Sequence, residues 1–359
     1  MNALNIVRQR LHNQQIAAPF GKQPSEVVAR LGAIQAQDFA GAKWSVGLRL
    51  TGATDADIEQ ALADRTIIRT WPMRGTLHFV AAADVRWMLA LLTPRIIAGS
   101  ARRQQQLELD AKVFARCEKL FVQALQGGKQ LSRDDMYGLL ETGRISTAGQ
   151  RGYHILWRLA QEKLICFGAR DGKQQTFALL DEWAPQAKSL EGEAALAELT
   201  KRYFIGHGPA TVQDFVWWSG LKVSDAKMGL EMVGLQLAQE KIDGKVYWTS
   251  QEGVDLPEAS SAVYLLPGFD EYMLGYRDRS AALDLKYAER ICPGSNGMFS
   301  ATIVMDGRVV GTWRRTFKKD TVVITVSAFK SFNKEQKKAI ADYAERYAKF
   351  LGMAKVVIS

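Results

Sequence analysis

Apolar residues in the first part of the chain recur at helical spacing and then give way to strand-like runs. Residues 4–12 read as a short helix with Ile6, Val7 and Leu11 apolar. Pro24-Ser25 opens a second helix in which Val27, Val28, Leu31 and Ile34 recur. A third, near 57–64, sets Ile58, Ala61 and Leu62 under an acidic exterior. Ile67-Ile68-Arg69-Thr70-Trp71, a break at Pro72, and Thr76-Leu77-His78-Phe79-Val80 then read as a β-hairpin. The outline returns with helices over 114–125, from Ser132-Arg133-Asp134-Asp135 and over 147–164, and a hairpin over 165–180 turned at Asp171-Gly172. It returns again over 193–204, 211–218 and 224–233, with a turn at Asp243-Gly244. Three helix-helix-helix-hairpin segments in tandem are a winged-helix outline, repeated in architecture but not in sequence.

After Pro257 the pattern becomes strand-like over 262–266, 297–305, 309–317 and 321–327, with a turn at Asp306-Gly307. Asn333 caps a helix carrying Ile340, Tyr343, Tyr347 and Leu351 on one face, Gly352 ends it, and a last strand covers 355–358. The expected class is therefore α+β. Winged-helix units occupy 1–100, 101–185 and 186–256, and a β-rich, antiparallel, barrel-like domain with one helix occupies 257–359.

Composition adds a partner class. At 359 residues the chain is long enough for two or three domains, and 47% hydrophobic with 24% charged residues is ordinary globular content. A formal charge of +9, spread along the chain, favours a polyanion met by a folded basic surface. Cys117, Cys166 and Cys292 are odd in number and far apart, a pattern of a reducing compartment without zinc spacing. The N-terminus lacks the basic-then-apolar pattern of a signal peptide. The most apolar stretch, 79–92, is interrupted by Asp84 and Arg86 and is too short to span a bilayer. A cytoplasmic, nucleoid-associated protein is expected.

Candidate chemistry centres on Ile34-Gln35-Ala36-Gln37-Asp38 and Thr70-Trp71-Pro72-Met73-Arg74-Gly75-Thr76-Leu77-His78. Residues i and i+2 of a helix point about 200° apart, so Gln35 and Gln37 converge only where the helix ends or the backbone is extended. Neutral amides orient a water or a base edge but are poor proton acceptors. The plain alternative is that both are polar residues closing a helix. His78 draws interest from sharing its hairpin with Arg69 and Arg74.

For nucleic acid, the helix over 147–164 places Arg151, His154 and Arg158 on one side and Tyr153, Leu156, Trp157, Ala160 and Leu164 on the other. A solvated basic face is the competing reading. Arg308, Arg314, Arg315, Lys318 and Lys319 form a second basic cluster suited to phosphates. Asp270, Glu271, Asp278 and Asp284 read as ion-pairing acids; as an alternative they form a nuclease metal site, although no ligand spacing supports metal and none is assigned. No Ser-His-Asp order, Walker loop or Rossmann fingerprint is present.

The two central segments, together with Gly268-Phe269-Asp270-Glu271-Tyr272-Met273-Leu274-Gly275-Tyr276-Arg277-Asp278-Arg279, resemble the AlkZ/YcaQ family of bacterial DNA glycosylases over nearly the whole chain. The resemblance implies tandem winged-helix units with a β-rich C-terminal part, and excision of alkylated bases, chiefly N7-alkylguanine, including interstrand crosslinks. The family signature is glutamine, an aliphatic residue, then glutamine or aspartate. Gln35 and Gln37 match the branch with two glutamines, and Ala36 is a small residue at the aliphatic position. The resemblance thus implies Gln35 and Gln37 as catalytic residues. Asp38, Arg69, Arg74 and His78 would line the lesion site, and Arg151, His154, Arg158, Arg314 and Arg315 would hold DNA. A cofactor-free monomer acting on alkylated or crosslinked double-stranded DNA is expected, away from membranes. The rival expectations are a non-catalytic winged-helix regulator and the metal-dependent nuclease.

Overall fold

The computed structural model describes residues 3–19, 21–251 and 262–359. The expected boundary at 256/257 lies outside them. The chain is mixed α+β and divides into two compact units: Met1–Glu59 with Ala197–Ser359, and Gln60–Leu196. It leaves the first unit within the helix Asp55–Ala63 and returns within the helix Gly192–His207.

In the first unit, the helices Ala3–Asn13 and Pro24–Leu31 precede a two-residue strand, Ile34–Gln35. A helix follows at once, Phe39–Gly47, where no helix is expected from periodicity. Residues 41–47 are all buried, so it has no polar face to produce a 3.6-residue rhythm. Trp44 packs against Tyr347 and Phe350 of the helix Lys334–Phe350, each at 4.9 Å between ring centroids, and donates its indole N–H to the Leu265 carbonyl. A Cβ on Gly47 would stand 2.2 Å from the Phe350 ring, so only glycine lets the two helices approach. The first and last segments of the chain therefore fold as one body.

The helices Val212–Ser219 and Val223–Val233 and the hairpin Leu237–Ile242 and Lys245–Ser250 lie close to expectation. The C-terminal strands form a five-stranded sheet, ordered Lys355–Ile358, Thr321–Ala328, Arg308–Lys318, Thr302–Met305, Val263–Leu266. Its last strand runs parallel to Thr321–Ala328, so the sheet is mixed where an antiparallel barrel is expected. The helix Lys334–Phe350 supplies the crossover that a parallel pair requires. Leu351, expected on the apolar face, is only half-buried.

The second unit begins with the hairpin Ile67–Met73 and Thr76–Ala81. Pro72 does not break the first strand, because the register shifts between Thr70 and Met73, and a bulge tolerates the missing donor. The apolar stretch after it is the helix Val85–Gly99. The helices Ala111–Leu125, Arg133–Thr142 and Arg151–Gln161 enclose a core with Phe121, Met136, Ile155 and Trp71. The last of these is shorter than 147–164, since Gly149, Gln150 and Lys163 take positive φ at its ends. Leu131–Ser132, Thr176–Leu179 and Ile165–Phe167 form a three-stranded sheet. Among the described residues, no helix is long and apolar enough to cross a membrane.

Candidate functional site

The Gln35 segment meets the geometric condition for two glutamines two apart to converge. The preceding helix ends at Leu31, where Gly32 takes φ +78°, and residues 34–35 are extended. Gln35 is buried and Gln37 exposed. The segment is fastened at both ends within the first unit. The Gln35 backbone N–H donates to Glu271 Oε1 at 3.2 Å. Asp38 caps the helix Phe39–Gly47 by accepting from the Gly41 N–H at 3.1 Å, and Arg315 Nη2 bridges its two carboxylate oxygens at 2.9 and 2.8 Å.

Glu271 is wholly buried. It also accepts from the Trp218 indole at 2.8 Å and lies 3.3 Å from His207 Nε2. His207 stacks on Tyr203 at 4.8 Å. The neighbouring acid is held differently. Arg49, fully buried, donates to both oxygens of Asp270 at 2.8 and 2.9 Å, and Ser45 Oγ donates at 2.6 Å. Burial alone would raise the Asp270 pKa; Arg49 and the hydrogen bonds more than offset this and hold it below the usual carboxylate range. The acids Asp278 and Asp284 pair with Lys245 and Lys286. Each of the four acids thus has its own partner, and among the described residues no group of three or more His, Cys, Asp or Glu could hold a metal.

Arg69, Arg74 and His78 lie together on the hairpin of the second unit. Its turn has Arg74 at φ +50° and Gly75 at φ +71°, the pair of left-handed residues that a two-residue hairpin turn demands. Trp157 donates its indole N–H to the Gly75 carbonyl at 3.1 Å and anchors the turn on the helix Arg151–Gln161. His78 is fully buried, with Nδ1 2.9 Å from the Thr76 carbonyl and Nε2 3.5 Å from Arg74 Nη2. A carbonyl only accepts, so Nδ1 carries the hydrogen and the Nε2 lone pair faces the arginine. In that tautomer His78 has no proton to give at Nε2. Arg69 is buried, donates to Gln175 Oε1 at 3.0 Å and lies 4.8 Å from the Phe167 ring centroid. Burial, and then repulsion from Arg170, bring its pKa down to about 10.

The basic helix is more engaged with its own unit than its periodicity implies. Arg151 donates to the carbonyls of Ser146 and Leu107. Arg158 donates to Gln104 at 3.1 Å and Glu162 at 2.6 Å. His154 packs edge-on against Tyr153 and Trp157, and burial, followed by Arg103, lowers its pKa, which leaves it neutral at pH 7. Tyr153, expected in the core, is 44% exposed because it falls at the margin of the apolar stripe. In the first unit, Arg314, Lys318 and Lys319 are exposed, whereas Arg315 is the partner of Asp38. The bonds from Glu271 to Gln35 and from Arg315 to Asp38 span 236 and 277 residues, and no local signal in the sequence announces them.

A buried acid behind one glutamine and an arginine-clamped aspartate beside the other fix the segment that carries both amides. The model of the AlkZ-like DNA glycosylase family matches residues 28–350, and the chain belongs to that family. It is a DNA glycosylase. An interstrand DNA cross-link repair glycosylase from Streptomyces sahachiroi is 25% identical over 365 residues, covering 97% of this chain and 96% of the relative. The solved structure of the Streptomyces sahachiroi DNA glycosylase AlkZ shares the fold, with a TM-score of 0.82 at 23% identity over 100% of this chain and 99% of that one.

Proposed function

We propose that this enzyme is a monofunctional glycosylase that hydrolyses the N-glycosidic bond of cationic alkylated purines, N7-alkylguanine above all, and unhooks interstrand crosslinks made through that atom. Gln35 and Gln37 orient the attacking water. The observation that carries the reading is the fixed segment from Gln35 to Asp38, tied by Glu271 at one end and Arg315 at the other. Such an anchored backbone presents amides at defined positions without leaving a carboxylate uncommitted.

The chemistry needs little more. An N7-alkylated guanine is already positively charged, so its bond to the sugar breaks without a strong general acid. What remains is to hold a water against an oxocarbenium-like sugar, which amide oxygens do by accepting its hydrogens. Asp38 already neutralises Arg315, and His78 presents a lone pair at Nε2, so neither supplies an obvious leaving-group proton. The crosslink part is supported by the name of the Streptomyces relative. A crosslinked base cannot swing fully out of the duplex, so an open surface suits it better than a closed pocket.

In this reading the repeated helix-and-hairpin segments are tandem winged-helix units that track double-stranded DNA, and the protein acts as a monomer. Arg74, half-buried at its hairpin turn, meets the DNA near the lesion, and the buried Arg69 and His78 support that hairpin. Phosphate contacts come first from Arg314 and its neighbours Lys318 and Lys319. Arg315, Arg151, His154 and Arg158 contribute less, because internal contacts already engage them.

Single-turnover release of 7-methylguanine from methylated duplex DNA tests the assignment. Gln35→Ala and Gln37→Ala should each slow release by about 10²–10⁴-fold, the range for positioned water and proton-transfer groups. Their affinity for DNA should stay close to that of the parent. Parallel loss of binding in either variant would make that glutamine a binding or folding residue.

A further inference from the structure

The second unit holds a cavity of about 460 Å3, within the size range of small-molecule sites. Trp71, Phe167 and Tyr153 form an aromatic wall. The Trp71 and Phe167 ring centroids are 4.9 Å apart, and Tyr153 stands edge-on to Trp71 at 6.5 Å. The charged residues lining it are Arg69, Arg133 and Lys173 against one acid, Asp134. Arg69 is buried at the wall, and Gln175 fixes its guanidinium through Nη1.

Rings beside one fixed cation, Arg69, and two exposed ones, Arg133 and Lys173, suit a flat heterocycle attached to an anion. We propose that the cavity receives a nucleotide with an uncharged base, supplied by an unstacked position of the DNA strand, with its base on the aromatic wall and its phosphate toward Arg69 and Lys173. The sign of the charge separates this nucleotide from the lesion. A cationic base would face Arg69, Arg133 and Lys173 with Asp134 alone to balance them, so the cavity discriminates against the damaged base itself. That last distinction rests on the cationic-purine reading given above. The pKa of Arg69, lowered by burial and by Arg170, agrees with a site in which a further positive charge is unwelcome and an anion is favoured.

The test is a titration of the full chain followed by tryptophan fluorescence, since Trp71 lines the cavity. The probes are guanosine 5′-monophosphate, inorganic phosphate, and 7-methylguanosine 5′-monophosphate at a pH where its ring is cationic. Guanosine 5′-monophosphate should give a saturable change and bind at least several-fold tighter than either other probe. Tyr153→Ala, at an exposed position, should weaken it by about tenfold, as expected when a base–aromatic stack is removed. Lys173→Ala should weaken it less. A short single-stranded oligonucleotide should displace the mononucleotide, which places the source in DNA; failure to displace it would overturn that source and leave a free nucleotide as ligand. No saturable change, a change indifferent to both substitutions, or tighter binding of the methylated nucleotide would overturn the proposal. Release of 7-methylguanine from duplex, measured on the same preparations, keeps the two readings apart. Release without nucleotide binding defeats the cavity alone, and nucleotide binding without release supports the cavity while defeating the cationic-purine reading.

Discussion

The Gln35 segment of the first unit and the helix Arg151–Gln161 of the second both carry polar side chains of promise, but the two use their charges differently. Around Gln35 the charges are buried or half-buried and tie parts of the chain more than 200 residues apart. Asp270 and Arg49 are wholly inside, Glu271 holds a backbone N–H, and Asp38 is bridged by Arg315. Around the helix the contacts span shorter separations, from Arg158 to Glu162 four residues on to Arg158 with Gln104, 54 residues away. The pairs of the first region hold one buried glutamine, Gln35, and one exposed, Gln37, on a fixed backbone, whereas the second region's arginines tie their helix to neighbouring segments of the same unit.

The sharpest way to break this contrast is to remove one member of a buried pair. Asp270→Ala leaves Arg49 charged, buried and without its carboxylate, and should cost about 3–5 kcal/mol of stability. Arg158→Ala should cost less than about 1 kcal/mol, as partly exposed pairs do. Chemical denaturation of both variants checks the comparison, and similar losses would erase it.

Glu271→Gln probes the tether with a nearly isosteric change. The new amide NH2 must face either the Gln35 N–H, which Oε1 accepts, or Trp218 and His207, which meet Oε2. Displacement of the Gln35 backbone should slow 7-methylguanine release by up to about 10²-fold, the scale of small misplacements at a reacting centre. DNA affinity should change little. Unchanged release in a folded variant would show that Glu271 serves stability alone.

Salt dependence of DNA binding compares the two basic clusters. Removing one cation that neutralises a phosphate should lower the log–log slope by about 0.9, so Arg314→Ala and Lys318→Ala should each approach that value. Arg151→Ala and Arg158→Ala should change the slope by less than half as much, because their guanidinium groups are held internally. The reverse order would make the helix the main phosphate-binding element.

The smallest effect is that of pH. The folded pKa of Asp270 lies below its unfolded value, so its contribution to stability is complete above the unfolded carboxylate pKa of about 3.9 and is lost as pH falls through the folded one. Replacing Asp270 with Asn should flatten the acid limb of a stability–pH curve, and an unaltered limb would assign acid sensitivity to other groups.

Much of the architecture was legible because it is locally encoded. Asn333, Ser132 and Thr211 cap helices through their own side chains, and Asp-Gly pairs mark the turns at 243–244 and 306–307. The helix Phe39–Gly47 was not, since a helix buried nearly all round shows no period. The glutamine pair was unusual in type and spacing, but its catalytic role was implied only by the family resemblance. Its supports were not legible, because Glu271 and Arg315 reach it across more than 200 residues of sequence. Periodicity likewise placed Arg151 and Arg158 on one face without indicating that Leu107 and Gln104 would occupy them.

In the proposed mechanism, amides suffice because the substrate carries its own charge. Parallel single-turnover excision from duplexes containing 7-methylguanine and uracil, with borohydride present, tests it most directly. Ready release of 7-methylguanine, negligible release of uracil and no trapped protein–DNA adduct are expected. Efficient uracil release would reveal a true general acid, with Asp38 or His78 the first residue to examine. A trapped adduct would reveal a lyase acting through an amine, with Lys43 the first to examine. Either result would contradict water placement by Gln35 and Gln37 as the source of catalysis.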